Sequence, residues 1–165
     1  MPVTIVGHLK HALLQNVAPG RMFIIDEGEG RLLCMKSPER IVVLGGRACH
    51  DNSPGFFNHH DYLGTNVVLL PDDLEIDLLP SGNEVDFGLA VPDVQRPNGS
   101  ITIDDDEVGW ICVRGGPGRA VFFNLQDGSI GSPSSARASY ANWRLVWRKP
   151  GVREPVEIYR TITAE

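Results

Sequence analysis

The feature that most constrains this chain is its punctuation. Glycine, proline and asparagine fall singly or in pairs between short apolar runs that alternate with a period of two. Such alternation is what a half-buried strand requires, because successive side chains point to opposite faces of a sheet. In VRGGPGRAVFF, Pro117 presets φ at the second turn position and Gly118 takes the positive φ that a type II turn needs at the third. WICVR and AVFFNL flank it as strands, which predicts a hairpin. Asn98-Gly99, between 84–94 and 100–104, is a second strong hairpin signal. Asp127-Gly128, Glu29-Gly30 and Gly82-Asn83 mark weaker ones, and Ser37-Pro38-Glu39-Arg40 a further turn.

Between these joints the pattern predicts strands at 3–6, 21–26, 31–36, 40–45, 66–70, 74–79, 84–91, 101–104, 108–114, 119–126, 142–148 and 156–162. Only 8–16 could make a helical turn or two, closed by Pro19-Gly20. In 142–149, Trp143, Leu145 and Trp147 share one face, and Arg144, Val146 and Arg148 the other. In the last strand Val156, Ile158, Arg160 and Ile162 share a face while Glu157, Tyr159, Thr161 and Thr163 point away. If these strands are neighbours, Arg144 and Arg148 can pair with Glu157. Two stretches rich in Gly, Ser, Pro and Asn, 46–64 and 128–141, are expected to be long loops. Ordered loops beyond about 12–15 residues tend to be functional or mobile.

The expected fold is therefore all-β. A chain of 165 residues suits a single domain spanning 1–165. About twelve short antiparallel strands suit a closed barrel or a two-sheet sandwich, both of which limit exposed edges. A β-trefoil has a similar strand count, but only weak threefold similarity links the segments opening near Val3, Val67 and Val121.

The net charge of −6 argues against nucleic acid, whose phosphates need clustered Lys and Arg. Charge is uneven: 72–107 holds eleven acidic residues and one basic (Arg96), whereas 137–165 holds six basic and three acidic. The plain reading is a solvated acidic face partly paired with those arginines; the functional one is a surface that attracts a basic protein or a cation. Three widely spaced cysteines, Cys34, Cys49 and Cys112, form no CxxC motif, which disfavours a thiolate zinc site. MPVTIVGHLKHALL lacks the basic start and long apolar stretch of a signal peptide. Apolar runs fall short of the ~18–20 residues of a membrane span, so a cytoplasmic setting is expected. The sequon Asn98-Gly99-Ser100 coincides with a tight turn and is read as incidental.

The densest polar cluster is Cys49-His50-Asp51-Asn52 with His59-His60-Asp61-Tyr62. His50, His59, His60 and Asp61 offer imidazole and carboxylate ligands for a transition metal such as zinc, but their spacing matches no standard ligand pattern. Cys49 beside His50 suggests an activated thiol, yet neighbours on a strand point to opposite faces. Turn-closing loop residues are the simpler account. His8 and His11 would share a face of a helical turn, with nothing to place them near 59–61. The run Asp104-Asp105-Asp106-Glu107 raises calcium, but no EF-hand spacing follows it, and solvated turn residues are the better reading. No GxGxxG before a helix, GxxxxGK[ST] or GxSxG occurs. Trp143 and Trp147 could stack on a sugar, although sharing a face with Leu145 favours a core wall.

Phe56-Phe57, adjacent in a Gly/Asn/His stretch, must tuck into the fold or form a contact patch. The leading expectation is a non-enzymatic binding module whose 46–64 loop meets a protein or carbohydrate through Phe56, Phe57, His59, His60 and Tyr62. The alternative is a metal-dependent enzyme using His50, His59, His60 and Asp61. A homo-oligomer is compatible with either; nucleic-acid and membrane partners are not expected.

Overall fold

The computed structural model describes residues 10–26, 30–46, 54–79, 98–114, 120–134 and 136–161. Fourteen strands lie within them, and every pairing is antiparallel. The protein is all-β, as its alternation requires.

One sheet of six strands runs β1 (Lys10–Leu13), β6 (Asn66–Leu69), β2 (Met22–Asp26), β3 (Arg31–Lys36), β4 (Arg40–Gly46) and β5 (Gly55–Asn58). A second, of five, runs β11 (Ile130–Gly131), β10 (Ala120–Asn124), β9 (Gly109–Arg114), β8 (Ile101–Asp104) and β12 (Ala136–Tyr140). The third runs β14 (Val156–Arg160), β13 (Trp143–Trp147) and β7 (Leu74–Leu78). Among the described residues the three orders are open, so a closed barrel is not seen there.

Several sequence-read turns join adjacent strands as expected. β9 and β10, on either side of Pro117-Gly118, pair from Arg114↔Ala120 onward. Asp127-Gly128 joins β10 to β11, with the Gly128 N–H donating to the Asn124 carbonyl at 2.8 Å. The Ser37 N–H donates to the Arg40 carbonyl at 2.9 Å and closes the β3–β4 turn. The hairpin expected at Asn98-Gly99 has its first strand, 84–94, outside the described residues; within them Gly99 takes φ +81° and its N–H donates to the Cys112 carbonyl of β9. Asn98 is committed to structure there. Its Nδ2 donates to the Pro54 carbonyl at 2.8 Å and its Oδ1 accepts from the Arg114 N–H at 3.0 Å. Ser100, the last residue of the sequon, is wholly buried. The predicted strands 3–6 and 84–91, the Pro117-Gly118 and Gly82-Asn83 turns and Glu29 lie outside the described residues.

Three expectations are corrected. Residues 10–13 form β1, not helix, followed by a single 3-10 turn at Leu14–Asn16. The 46–64 segment contains β5 and a second 3-10 turn at His60–Tyr62, and 128–141 contains β11 and β12. These strands are too short, or too rich in small and polar residues, to show alternation; a neighbour's ladder of hydrogen bonds supplies the order. Tyr159, expected to point outward, packs on the core against Trp143, ring centroids 5.3 Å apart. The reason is a bulge: Leu145 pairs with Tyr159 but Val146 with Glu157, which leaves Ile158 as the extra residue and resets the alternation.

The main core draws on all three sheets: Met22, Met35, Val42 and Leu44 from the first, Ile101, Ile111 and Phe123 from the second, Trp143 and Leu145 from the third. The six-stranded sheet is apolar on its other face too, where Phe23, Ile25, Leu32, Cys34 and Ile41 gather with Leu14, Val17 and Val67. Its strands read as nearly continuous apolar runs because both faces are covered. No helix among the described residues is long and apolar enough to cross a membrane.

The charge asymmetry partly resolves in the third sheet. β7 and β13 place Asp77 opposite Arg144, and the guanidinium binds that carboxylate through two nitrogens at 2.9 and 2.8 Å. Arg144 also reaches Glu157 at 3.4 Å, as the sequence suggested, whereas Arg148 pairs with Glu75 at 2.6 Å.

Candidate functional site

The segment that attracted attention in the sequence is secured rather than loose. β5 pairs with β4 over four residues, with Val42↔Phe56 and Ile41↔Phe57. Strand alternation therefore sends the two phenylalanines to opposite faces of the sheet. Phe56 packs on the main core, 5.6 Å from the Phe123 ring, with the Arg40 guanidinium over its own ring, 5.9 Å from the centroid. Phe57 joins the second core, 4.9 Å from the Tyr62 ring. Phe56, Phe57 and Tyr62 are all half-buried and engaged in packing.

Beyond β5 the chain turns sharply. Asn58 Oδ1 accepts from the His60 N–H at 3.4 Å, and the Tyr62 and Thr65 N–H groups donate to the His59 and Tyr62 carbonyls. Asn58, His60 and Asp61 are exposed and His59 is half-buried. The rings of His59 and His60 meet edge to face, centroids 4.9 Å apart.

The structure adds a residue to this cluster that sequence reasoning missed. On β3, Leu32 and Cys34 belong to the second core, and period two puts Lys36 on the same face, next to Ile41 of β4. Lys36 is 5% exposed, and its Nζ lies 3.0 Å from His59 Nδ1. A buried ammonium needs an acceptor. While Lys36 keeps its ammonium it can only donate, and the contact then uses the Nδ1 lone pair of a neutral His59 with its proton on Nε2. Burial lowers the Lys36 pKa from its ordinary value. Burial, then the neighbouring Lys36 and His60, lowers that of His59, with Glu39 opposing. The only sequence signal was a lysine closing a strand at an inward-facing position, and such lysines ordinarily reach solvent.

This geometry bears on metal binding. Among the described residues no three His, Cys, Asp or Glu side chains gather as a ligand group. His59 and His60 adjoin each other, but Nδ1 of His59 faces an ammonium, which repels a cation. His50 and Cys49 lie outside the described residues, and so does His8; His11 is an exposed residue of β1.

The acidic run at 104–107 is a structural joint. Asp104 is 2% exposed, and its Oδ1 accepts from the N–H groups of Asp106 and Val108, both at 3.0 Å. Its Oδ2 accepts from Trp110 Nε1–H at 2.8 Å and from the Ser134 N–H at 3.4 Å. A carboxylate surrounded by four donors has little capacity left for calcium. Burial pushes this carboxyl up, but the four hydrogen bonds outweigh it and hold it below the usual range. Trp143 is core, 1% exposed, with Nε1 donating to the Gly99 carbonyl at 2.8 Å, while Trp147 is half-buried and donates to Asp73 at 3.0 Å. The two indoles form no shared flat platform of exposed rings.

No family model, no curated protein and no solved structure matches this chain.

Proposed function

We propose that this protein is a non-enzymatic binding module, a β scaffold of the sandwich kind that presents the tip after β5 to a protein or carbohydrate ligand. One observation carries the reading: Phe56 and Phe57 anchor the segment in two separate cores while Asn58, His60 and Asp61 stay exposed at its end. Rigidly held polar groups on a connecting segment suit recognition, because little conformational entropy is lost on binding. Amide, imidazole and carboxylate groups pair equally well with sugar hydroxyls and with peptide groups. His59 and Tyr62 would flank the contact. The setting would be the cytoplasm, where thiols such as Cys34 and Cys112 stay reduced.

Deleting 55–62 would remove a paired strand and two core phenylalanines, so it cannot separate binding from folding. The triple variant N58A/H60A/D61A touches only exposed side chains. Wild type and variant are compared on a glycan array and in partner pulldown, with melting curves alongside. Ligand retained by wild type and lost by an equally stable variant supports the reading. Equal retention by both, or retention by neither, overturns it.

A further inference from the structure

We propose that the Lys36–His59 contact is a proton-operated catch, which holds the turn at residues 59–62 against the end of β3 only while His59 is neutral. Lys36 can satisfy its buried ammonium at His59 only through the Nδ1 lone pair, 3.0 Å away. A proton on Nδ1 removes that acceptor and sets a second positive charge against the first. Two like charges at this distance in a partly desolvated site repel strongly. The turn gives way more easily than Lys36 does. Lys36 sits in the β3–β4 ladder, its N–H donates to the Arg21 carbonyl, and its carbonyl accepts from the Gly20 N–H at 2.7 Å. His59 lies past the end of β5, at the start of a turn whose far side, not His59 itself, is tied down by Tyr62 packing on Phe57 and by the Gln15 N–H on the Leu63 carbonyl.

The surrounding charges do not cancel the effect. His60, beside His59, adds to the repulsion when protonated, and Glu39 of the β3–β4 turn opposes it. Arg40 lies over Phe56. Asp61 is exposed, and Asp127 of the β10–β11 turn is engaged by the Ser129 N–H and hydroxyl. The sign follows from linkage. A histidine whose folded-state pKa is lowered contributes stability that is present above its unfolded value and lost as pH falls through the folded value. Acid therefore opens the catch. At the proposed binding tip this makes ligand hold at neutral pH and release on acidification. The catch itself needs no ligand, so its failure appears in the titration below and failure of the binding reading in the pulldown.

Imidazole NMR of the full chain across pH is the test, with wild type, K36M, H59Q and H60Q. In wild type at neutral pH, His59 should be the Nε2–H tautomer and titrate below the ordinary histidine value of about 6.5. The Tyr62 and Thr65 amides should lose exchange protection in step with it. In K36M the His59 midpoint should rise towards the ordinary value and the coupled loss of protection should vanish. H59Q keeps an acceptor for Lys36 but cannot titrate, so its turn should stay protected in acid even if K36M folds poorly. H60Q should retain the wild-type response. An Nδ1–H tautomer, an ordinary His59 midpoint, or acid opening that persists in H59Q overturns the proposal.

Discussion

Replacing Asp104 by Asn should cost far more than any other change in the acidic run. The amide keeps one oxygen, which can still accept from the Asp106 and Val108 N–H groups. It puts an NH2 where Oδ2 accepted from Trp110 Nε1–H. An orphaned buried donor costs about 1–3 kcal/mol, and hydrogen bonds to a charged group are roughly twice as strong as neutral ones. Together these imply about 3 kcal/mol. For a chain of this length that is a fall in Tm of about 6–12 °C, at about 2–4 °C per kcal/mol. Thermal melts and urea titration at pH 7 measure it, with exposed Asp106→Asn as a control expected within about 0.5 kcal/mol of wild type. The pH dependence has a definite sign. The hydrogen bonds lower the Asp104 pKa, so its stabilisation is complete above the unfolded value of about 3.9 and lost as pH falls through the folded one. The gap between wild type and D104N should narrow below about pH 4, where a protonated carboxyl resembles the amide. A D104N protein that melts within about 2 °C of wild type at pH 7 would refute the reasoning.

Two further outcomes follow from packing. Gly128→Ala should lose about 2–4 kcal/mol in urea unfolding, because φ is +72° and a new Cβ would overlap the Lys36 carbonyl of the neighbouring turn. Gly64→Ala, where a Cβ meets nothing, should stay near wild type. Trp143→Phe should cost about 2–4 kcal/mol by the same assay, since it opens a void in the shared core and leaves the Gly99 carbonyl without the indole donor. A loss under about 0.5 kcal/mol would mean that this bond does not hold the third sheet to the second.

Alternation and turn chemistry alone determined that this chain is all-β, and they located most of its strands and joints. Both act over a few residues: Ser37–Arg40 closes through its own backbone, and Asp127-Gly128 through its backbone and the side chains of Asn124 and Asp127 beside it. Where a strand lacked local signal, the sequence was silent. Gly55–Asn58 and Ala136–Tyr140 are ordered by the ladders they form with β4 and β8 rather than by local propensity.

The candidate site divides the same way. His59, His60 and Asp61 stood out in sequence as a dense polar group, but their roles depended on what lies across from them. Pairing register sends Phe56 and Phe57, each half-buried, to different cores. It also brings Lys36, 23 positions earlier, to His59 and decides that one of three equivalent-looking aspartates, Asp104, is a buried joint. Burial and hydrogen-bond partnership are properties of the assembled sheets. They assign distinct chemistry to residues that the sequence leaves alike, and only the tertiary structure could decide them.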